Sequence, residues 1–141
     1  MIEMMLNKIR IDEKSDGQVI VLKEKNGARE LPIIIGILEV SAIKRNLSGL
    51  HSPRPMTHDL LASVIYQLGA KVEKVAIDKI ENNTFHAKLV LVPNKNASRD
   101  KKILIDARPS DSIALAVRTG APIFVEGKVL EDLKKHQEQL F

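Results

Sequence analysis

The chain has 141 residues, of which 44% are hydrophobic and 28% are charged, as is ordinary for one soluble globular domain with its own core. It contains no cysteine, which excludes a disulfide framework, a thiolate metal site and a cysteine nucleophile. The net charge of +4 permits contact with a polyanion such as nucleic acid but does not require it.

The sequence shows no pattern typical of a signal peptide or of a membrane-spanning segment. Residues 1–7 have neither the basic start nor the long apolar run of a signal peptide. The longest apolar runs fall far short of the roughly 20 residues that span a bilayer. The absence of cysteine fits a reducing compartment. We therefore expect a cytoplasmic protein with no membrane partner.

The first part of the chain predicts an antiparallel meander followed by a helix. Strands are expected over residues 4–11, with an irregularity before Ile9, and over 18–25 and 30–35. Residues 14–17 and the Asn26-Gly27 pair read as turns. The apolar period then changes to that of a helix over 37–47. Its predicted apolar face consists of Ile37, Leu38, Val40, Ala42, Ile43 and Leu47.

A second helix and a second hairpin follow a loop over residues 48–56. Thr57 is a natural N-cap, Asp59 suits the first turn, and Gly69 suits the C-terminal end. The predicted apolar face of this helix contains Leu60, Leu61, Val64, Ile65 and Leu68. Strands over 72–80 and 85–92 are joined by Asn82-Asn83. Residues 93–102 form a polar loop.

The stretch from Ile103 to Gly120 predicts a strand, a sharp turn and a helix. Residues 103–105 are a short apolar run that reads as a buried strand. Pro109 suits the first helical position, which places Asp111 at the third, and Gly120 suits a left-handed cap. A short strand over 122–125 and a helix over 128–140 complete the chain. The prediction is one α+β domain over 1–141, with a mixed, largely antiparallel sheet, hairpins and three to four helices.

The turn before this helix supplies the first candidate site, formed by Asp106, Arg108, Ser110 and Asp111. Two carboxylates can hold Mg²⁺ or Mn²⁺, and an arginine can bind phosphate. In the structural alternative, Asp111 stabilises the helix start and Asp106 pairs with an arginine. Both readings stay open.

The second candidate site lies at the start of the helix that follows Thr57. A histidine at a helix N-terminus is favoured in its neutral form, so that His58 can act as a base. Arg54 can bind phosphate. Alternatively, Thr57 and Asp59 only cap the helix, while Arg54 fixes the turn around it. Glu39 is a weaker third element that can face the same cleft.

The remaining polar residues carry less information. His51, His86 and His136 are isolated and lack the spacing of metal ligands. Two groups of basic residues can contact phosphates without regard to base sequence, or can simply be solvated. The groups are Lys44, Arg45 and Arg54, and Lys95, Arg99, Lys101 and Lys102. No phosphate-binding glycine loop or dinucleotide fingerprint is present, and we expect no organic cofactor.

Three motifs, taken in order, are similar to those of the bifunctional nuclease family. They are residues 31–36 followed by Glu39, residues 53–61, and residues 105–118. The resemblance extends over nearly the whole chain up to Leu130. It implies a compact α/β domain that self-associates and that acts on DNA and RNA. It brings no established set of catalytic residues.

Two hypotheses follow. The first is a low-specificity nuclease, in which Asp106 and Asp111 bind Mg²⁺ or Mn²⁺, Arg108, Arg54 and Ser110 bind the substrate, and His58 and Glu39 assist catalysis. The second is a non-catalytic oligomeric module that binds a small anionic ligand or a protein partner. A homo-oligomer, dimeric or larger, is expected in either case, through an apolar edge left by the first three strands.

Overall fold

The computed structural model describes residues 1–11, 18–94 and 101–139, which form one α+β domain. In chain order, the elements are β1 (Ile2–Ile11), β2 (Gln18–Glu24), β3 (Glu30–Ile35), α1 (Ile37–Leu47), α2 (Thr57–Gln67), β4 (Ala70–Glu81), β5 (Thr84–Pro93), β6 (Ile103–Ala107), α3 (Pro109–Thr119), β7 (Ile123–Val125) and α4 (Gly127–Gln139). The predicted fold class is confirmed.

The strands form a seven-stranded sheet in the order β3-β2-β1-β7-β4-β5-β6. The β4–β7 pair is parallel and the other neighbouring pairs are antiparallel. The predicted irregularity in β1 is a register shift between Leu6 and Lys8. Asn82 and Asn83 both have positive φ angles, which suits the tight turn of a hairpin. The turn predicted at 14–17 lies outside the described residues, as does most of the loop predicted at 93–102.

The hydrophobic core lies between one face of the sheet and the four helices. Alternate strand residues point into it, as the pleat requires; Ala87, Leu89 and Leu91 on β5 are examples. From the helix side, Val40 and Ile43 of α1 and Ile113 and Leu115 of α3 are completely or almost completely buried.

Helix α3 is the central element of the helical layer, because it packs against α1, α2, β4 and β5. Pro109 occupies its first position, and Gly120 ends it with a left-handed φ of 78°. Both predictions are confirmed. The strand that precedes α3 ends at Ala107, so the helix start lies immediately beyond the end of β6.

Several apolar residues that we predicted to be buried are exposed. The run Ile103-Leu104-Ile105 lies in β6 at the edge of the sheet and is exposed. A short apolar run shows that a strand is present but not its position in the sheet, and here β5 alone flanks it among the described residues. Ile37 and Leu38 of α1 are likewise exposed.

The face predicted for α2 is also largely outside the core. Of its apolar residues, Ile65 is buried, whereas Leu60 and Leu68 are exposed. The N-cap of α2 is Met56 rather than Thr57. Asp59 accepts a hydrogen bond from the Met56 backbone N–H at 3.1 Å, so the helix starts one residue earlier than predicted. Within the described ranges, no helix is long and apolar enough to cross a lipid bilayer.

Replacing Ile113 by alanine tests the central position of α3. Because the side chain is completely buried, we expect Ile113→Ala to lower the free energy of unfolding by about 2–5 kcal/mol. Urea denaturation monitored by circular dichroism measures this change. Ile37→Ala is the matched control, since Ile37 is helical but exposed, and should change stability by less than about 0.5 kcal/mol. Equal losses in both variants would contradict the arrangement.

Candidate active site

The first turns of three helices meet at one place. Glu39 lies in the first turn of α1, and Asp111 lies in the first turn of α3. His58 is the second residue of α2, and Arg108 is the N-cap residue of α3. The structure therefore brings together residues from all three motifs that carry the family resemblance.

Asp111 is the centre of this cluster, which we call the Asp111 network. Its Oδ1 atom lies 3.1 Å from Nε2 of His58, and its Oδ2 atom accepts a hydrogen bond from Nε of Arg108 at 2.9 Å. His58 is largely buried, with 13% of its side chain exposed, whereas the Arg108 side chain is 67% exposed. A neutral imidazole that donates from Nε2 keeps Nδ1 as its proton acceptor.

Glu39 extends the Asp111 network to α1. Nη2 of Arg108 donates to Oε1 of Glu39 at 2.9 Å, so one guanidinium holds two carboxylates. Gly36, just before α1, makes room for this carboxylate, because a Cβ atom built there would lie 2.5 Å from Oε2 of Glu39. Both residues of this motif therefore have a role in the network: Gly36 leaves space for the carboxylate, and Glu39 binds Arg108.

A second ion pair fixes the start of α2. Asp59 accepts a hydrogen bond from Nε of Arg118 at 2.8 Å, as well as the one from the Met56 backbone. Since Arg118 lies in the last turn of α3, this pair ties α2 to α3 beside His58. The capping alternative for Asp59 is therefore confirmed.

A cavity of about 490 Å³ opens beside the network. Glu39, His58, Arg108 and Asp111 all line it. Its other walls include the exposed apolar side chains Leu38, Leu50 and Met56, together with Arg45 and His51. The cavity thus places an ionic cluster next to an apolar wall, as is common for sites that bind organic ligands.

The charges in the network stabilise one another. Burial raises the pKa of Asp111, but hydrogen bonds from Arg108 and then from His58 outweigh it and hold that pKa below its ordinary value. The hydrogen bond to Asp111 raises the pKa of Arg108. The Met56 backbone N–H and, against the opposing effect of burial, Arg118 lower the pKa of Asp59.

Three predicted site residues lie apart from the network. Asp106 is 77% exposed and contacts Nζ of Lys88 at 3.4 Å. Because side chains alternate along β6 and Ala107 faces the core, Asp106 points to the opposite face of the sheet. Ser110 is buried in α3, and Arg54 is exposed in the loop before α2; neither lines the cavity.

The prediction that Asp106 and Asp111 share a divalent ion stays a prediction. In the part of the chain that the structure describes, no three histidine, cysteine, aspartate or glutamate side chains are grouped so as to hold a metal ion. Asp111 is engaged by His58 and Arg108 instead. A carboxylate oxygen can accept more than one bond, so these contacts leave lone pairs on Asp111.

Two features of this region were not predicted from the sequence. The sequence does not indicate that Arg118 lies near the site, because Arg118 is 59 positions away from its partner Asp59 in the chain. His51 was set aside as isolated, yet it lines the cavity together with His58. Of the two basic groups, Arg45 lines the cavity, where it donates to Oγ of Ser52 at 2.6 Å; residues 95–100 lie outside the described ranges.

Comparison with known proteins agrees with the motifs. The sequence profile of the bifunctional nuclease domain matches residues 20–138. The chain is 42% identical over 122 residues to an uncharacterized protein of Mycobacterium tuberculosis strain H37Rv, which covers 86% of this chain and 70% of that protein.

Two plant proteins are more distant relatives. Identity is 31% over 116 residues to bifunctional nuclease 2 of Oryza sativa subsp. japonica, covering 82% of this chain and 35% of the rice protein. It is 31% over 107 residues to bifunctional nuclease 1 of Arabidopsis thaliana, covering 75% of this chain and 32% of that protein. The chain therefore spans about a third of the length of each plant relative.

Stability at acid pH tests the Asp111 network. The lowered pKa of Asp111 means that its contribution to stability is present above the pKa of an unfolded aspartate, about 3.9, and is lost as the pH falls through the folded value. We therefore expect wild type to exceed Asp111→Asn in unfolding free energy near neutral pH, and this excess to shrink below about pH 4. Urea titrations at several pH values measure the difference.

The arginine supplies the control for this pH dependence. In an Arg108→Gln background, the hydrogen bond that lowers the pKa of Asp111 most is absent. Asp111→Asn should then produce a smaller pH-dependent difference than it does in the wild-type background. A difference that is independent of pH, or that grows in acid, would contradict the network.

Proposed function

The chain belongs to the bifunctional nuclease domain family, and from this premise we propose that it is a low-specificity nuclease that hydrolyses phosphodiester bonds in DNA, RNA or both. The observation that carries the proposal is the His58–Asp111 hydrogen bond of 3.1 Å beside the exposed Arg108 in an open cavity. A base, a group that orients the base and a cation for the phosphate are the parts that such a reaction requires.

In this proposal His58 is the general base. Asp111 fixes the ring by accepting from Nε2, and the other ring nitrogen takes a proton from water. The water oxygen attacks phosphorus while the bond from phosphorus to the leaving oxygen breaks. The leaving oxygen takes a proton from solvent, and the imidazolium releases its proton to solvent, which returns the histidine to its neutral form.

Arg108 binds the scissile phosphate. Its guanidinium has five N–H donors, and the two nitrogens engaged by Asp111 and Glu39 use only some of them. The two carboxylates hold the planar group in one orientation, which lowers the entropic cost of contacting a phosphate. The same cation opposes the negative charge that builds up during the displacement.

The cavity walls are consistent with weak base selection. Leu38, Leu50 and Met56 offer apolar surface to a nucleobase, and apolar contact does not read the hydrogen-bonding edges that distinguish bases. Arg45 adds positive charge to the same cavity, and phosphate contacts are independent of sequence. We therefore propose substrates defined by their backbone rather than by their base sequence.

Metal use is a separate part of the proposal. Asp111 retains acceptor capacity for a hard cation such as Mg²⁺ or Mn²⁺. Asp106 is on the other face of the sheet, so its participation is tested independently. Activity assays with either ion or with a chelator, on wild type and on Asp106→Asn, separate metal-dependent from metal-independent hydrolysis.

A second function is favoured by the Arg108 bridge itself. Because Arg108 joins Glu39 of α1 to Asp111 of α3, the same residues can act as a structural tie in a non-catalytic module that binds a small anion or a protein. The two functions differ in one observable result. The module shows no phosphodiester hydrolysis with or without metal, whereas the nuclease does.

Replacing His58 provides the main test of catalysis. We expect His58→Ala to lower kcat by about 100-fold or more, since a positioned general base contributes that much. Cleavage of labelled single- and double-stranded DNA and RNA would be measured across the eluted protein peak. His86→Ala is the matched control, because His86 lies in β5 outside the cavity, and it should retain wild-type activity.

Three results would contradict the catalytic assignment. Activity that does not follow the protein peak indicates a contaminant. Activity unchanged in His58→Ala places the reaction at another site. Absence of hydrolysis with Mg²⁺, Mn²⁺ and chelator alike favours the binding module.

Replacing Arg108 by lysine tests whether the shape of the guanidinium, and not only its charge, is needed. Lysine keeps the charge but cannot hold two carboxylates and a phosphate in one plane. We expect Arg108→Lys to lower kcat/KM by about 10- to 100-fold, which corresponds to the loss of one charged hydrogen bond. Steady-state kinetics on a short labelled oligonucleotide measure it, with Arg54→Lys as the control, since Arg54 does not line the cavity. Equal effects of both replacements would contradict the role of Arg108.

A further inference from the structure

The β6 edge of the sheet is apolar and open. The sheet order ends at β6, which pairs with β5 on its inner side. Its residues Ile103, Leu104 and Ile105 are all exposed, and 62% of Leu104 is accessible. Among the described residues, no second strand pairs with β6 on its outer side. An exposed apolar strand edge is a template for pairing with another strand.

The opposite edge of the sheet is less suited to such pairing. It is formed by β3, where Ile34 is 69% exposed. Pro32 lies near the middle of β3 and has no backbone N–H to donate, and proline is one of the features that protect sheet edges. The edge expected from the first three strands is therefore present but interrupted.

The residues of β6 are complementary to themselves when a second copy runs antiparallel. With Leu104 on the two-fold axis, each Leu104 faces its equivalent, and Ile103 faces Ile105 of the other copy. The same register places Lys102, which directly precedes β6, opposite Asp106. All apolar residues of β6 then face apolar residues of the other copy. At both ends of the paired strands, a lysine faces an aspartate.

The two charged residues lie on one face of the edge, and each has an ion-pair partner within its own subunit. Lys102 and Asp106 lie two positions on either side of Leu104, so the pleat puts all three on one face. The Lys102 side chain is 47% exposed and pairs with Glu73 at 2.8 Å. Asp106 pairs with Lys88. Across the axis, Glu73 and Lys102 of one copy would be followed by Asp106 and Lys88 of the other. Negative and positive charges then alternate along this row.

We propose that β6 pairs antiparallel with β6 of a second copy, which joins two seven-stranded sheets into one across a two-fold axis at Leu104. An isologous contact of this kind closes on itself and gives a dimer. Five residues from each copy are fewer than the roughly 20–30 of a standard interface, so the dimer forms reversibly. The two Arg108 side chains would begin roughly 27 Å apart along the strands, from a rise of about 3.4 Å per residue.

Two lysine substitutions test which edge pairs. Leu104→Lys sets like charges directly opposite each other on the axis, which destabilises a strand pair. Ile34→Lys puts the same charge on the other exposed edge. By sedimentation velocity from about 1 to about 200 µM, we expect wild type and Ile34→Lys to dimerise with rising concentration, and Leu104→Lys to do so at least tenfold more weakly. Circular dichroism and thermal melting verify that each variant is folded.

A charge exchange tests the register. Lys102→Glu and Asp106→Lys each place like charges opposite each other at both ends of the paired strands, so each should weaken dimerisation by roughly tenfold. The double variant restores opposite charges in both places and should recover most of the wild-type affinity. If Lys102 and Asp106 only stabilised the single subunit, the double variant would not recover the wild-type affinity for dimerisation.

The proposal is overturned by any of three results. Wild type that stays monomeric over the whole concentration range excludes the dimer. Dissociation by Ile34→Lys and not by Leu104→Lys assigns the contact to β3. A double charge variant as weak as either single variant excludes the register centred on Leu104.

Discussion

The guanidinium of Arg108 joins the parts of the chain on which the site depends. Arg108 is the N-cap residue of α3, donates to Asp111 one turn into the same helix, and reaches Glu39 of α1. Asp111 in turn holds His58 of α2. Without the cation, two carboxylates would face each other close to the positive ends of three helices, which stabilise anions only in part. The arginine therefore lets acidic first turns meet in one place and keeps Asp111 ionised beside the histidine.

Local signals in the sequence were sufficient for most of the fold. Pro109 and Gly120 mark the ends of α3 because each suits a backbone conformation or hydrogen-bonding position found there. The hairpin at Asn82 follows from residues that tolerate positive φ. The α1 bounds also agree with the predicted period. Burial was harder to predict, because periodicity identifies an apolar face but not whether a neighbour covers it. Leu38 borders the cavity, and Leu104 lies on an open edge.

The site could be predicted only in pieces, because its contacts are long-range. His58 and Asp111 are 53 positions apart, and Glu39 and Arg108 are 69 apart. Each was a candidate on local grounds, as a residue in or next to a helix first turn, but no local rule pairs one helix start with another. Asp106 shows the converse limit. It lies two residues from Arg108 in the chain, yet alternation along β6 sends its side chain to the other face of the sheet.

The network that positions Arg108 also limits how a phosphate can bind to it. An incoming phosphate must use guanidinium donors that Asp111 and Glu39 leave free, or displace one of these carboxylates. Displacing Glu39 disturbs the proposed mechanism less than displacing Asp111 does. Glu39 contacts the arginine, whereas Asp111 contacts the arginine and also orients His58. A phosphate that takes the place of Glu39 would lie beside the base with the His58–Asp111 bond intact. The affinity for substrate is then reduced by the broken ion pair, while the arrangement that supports the reaction is kept.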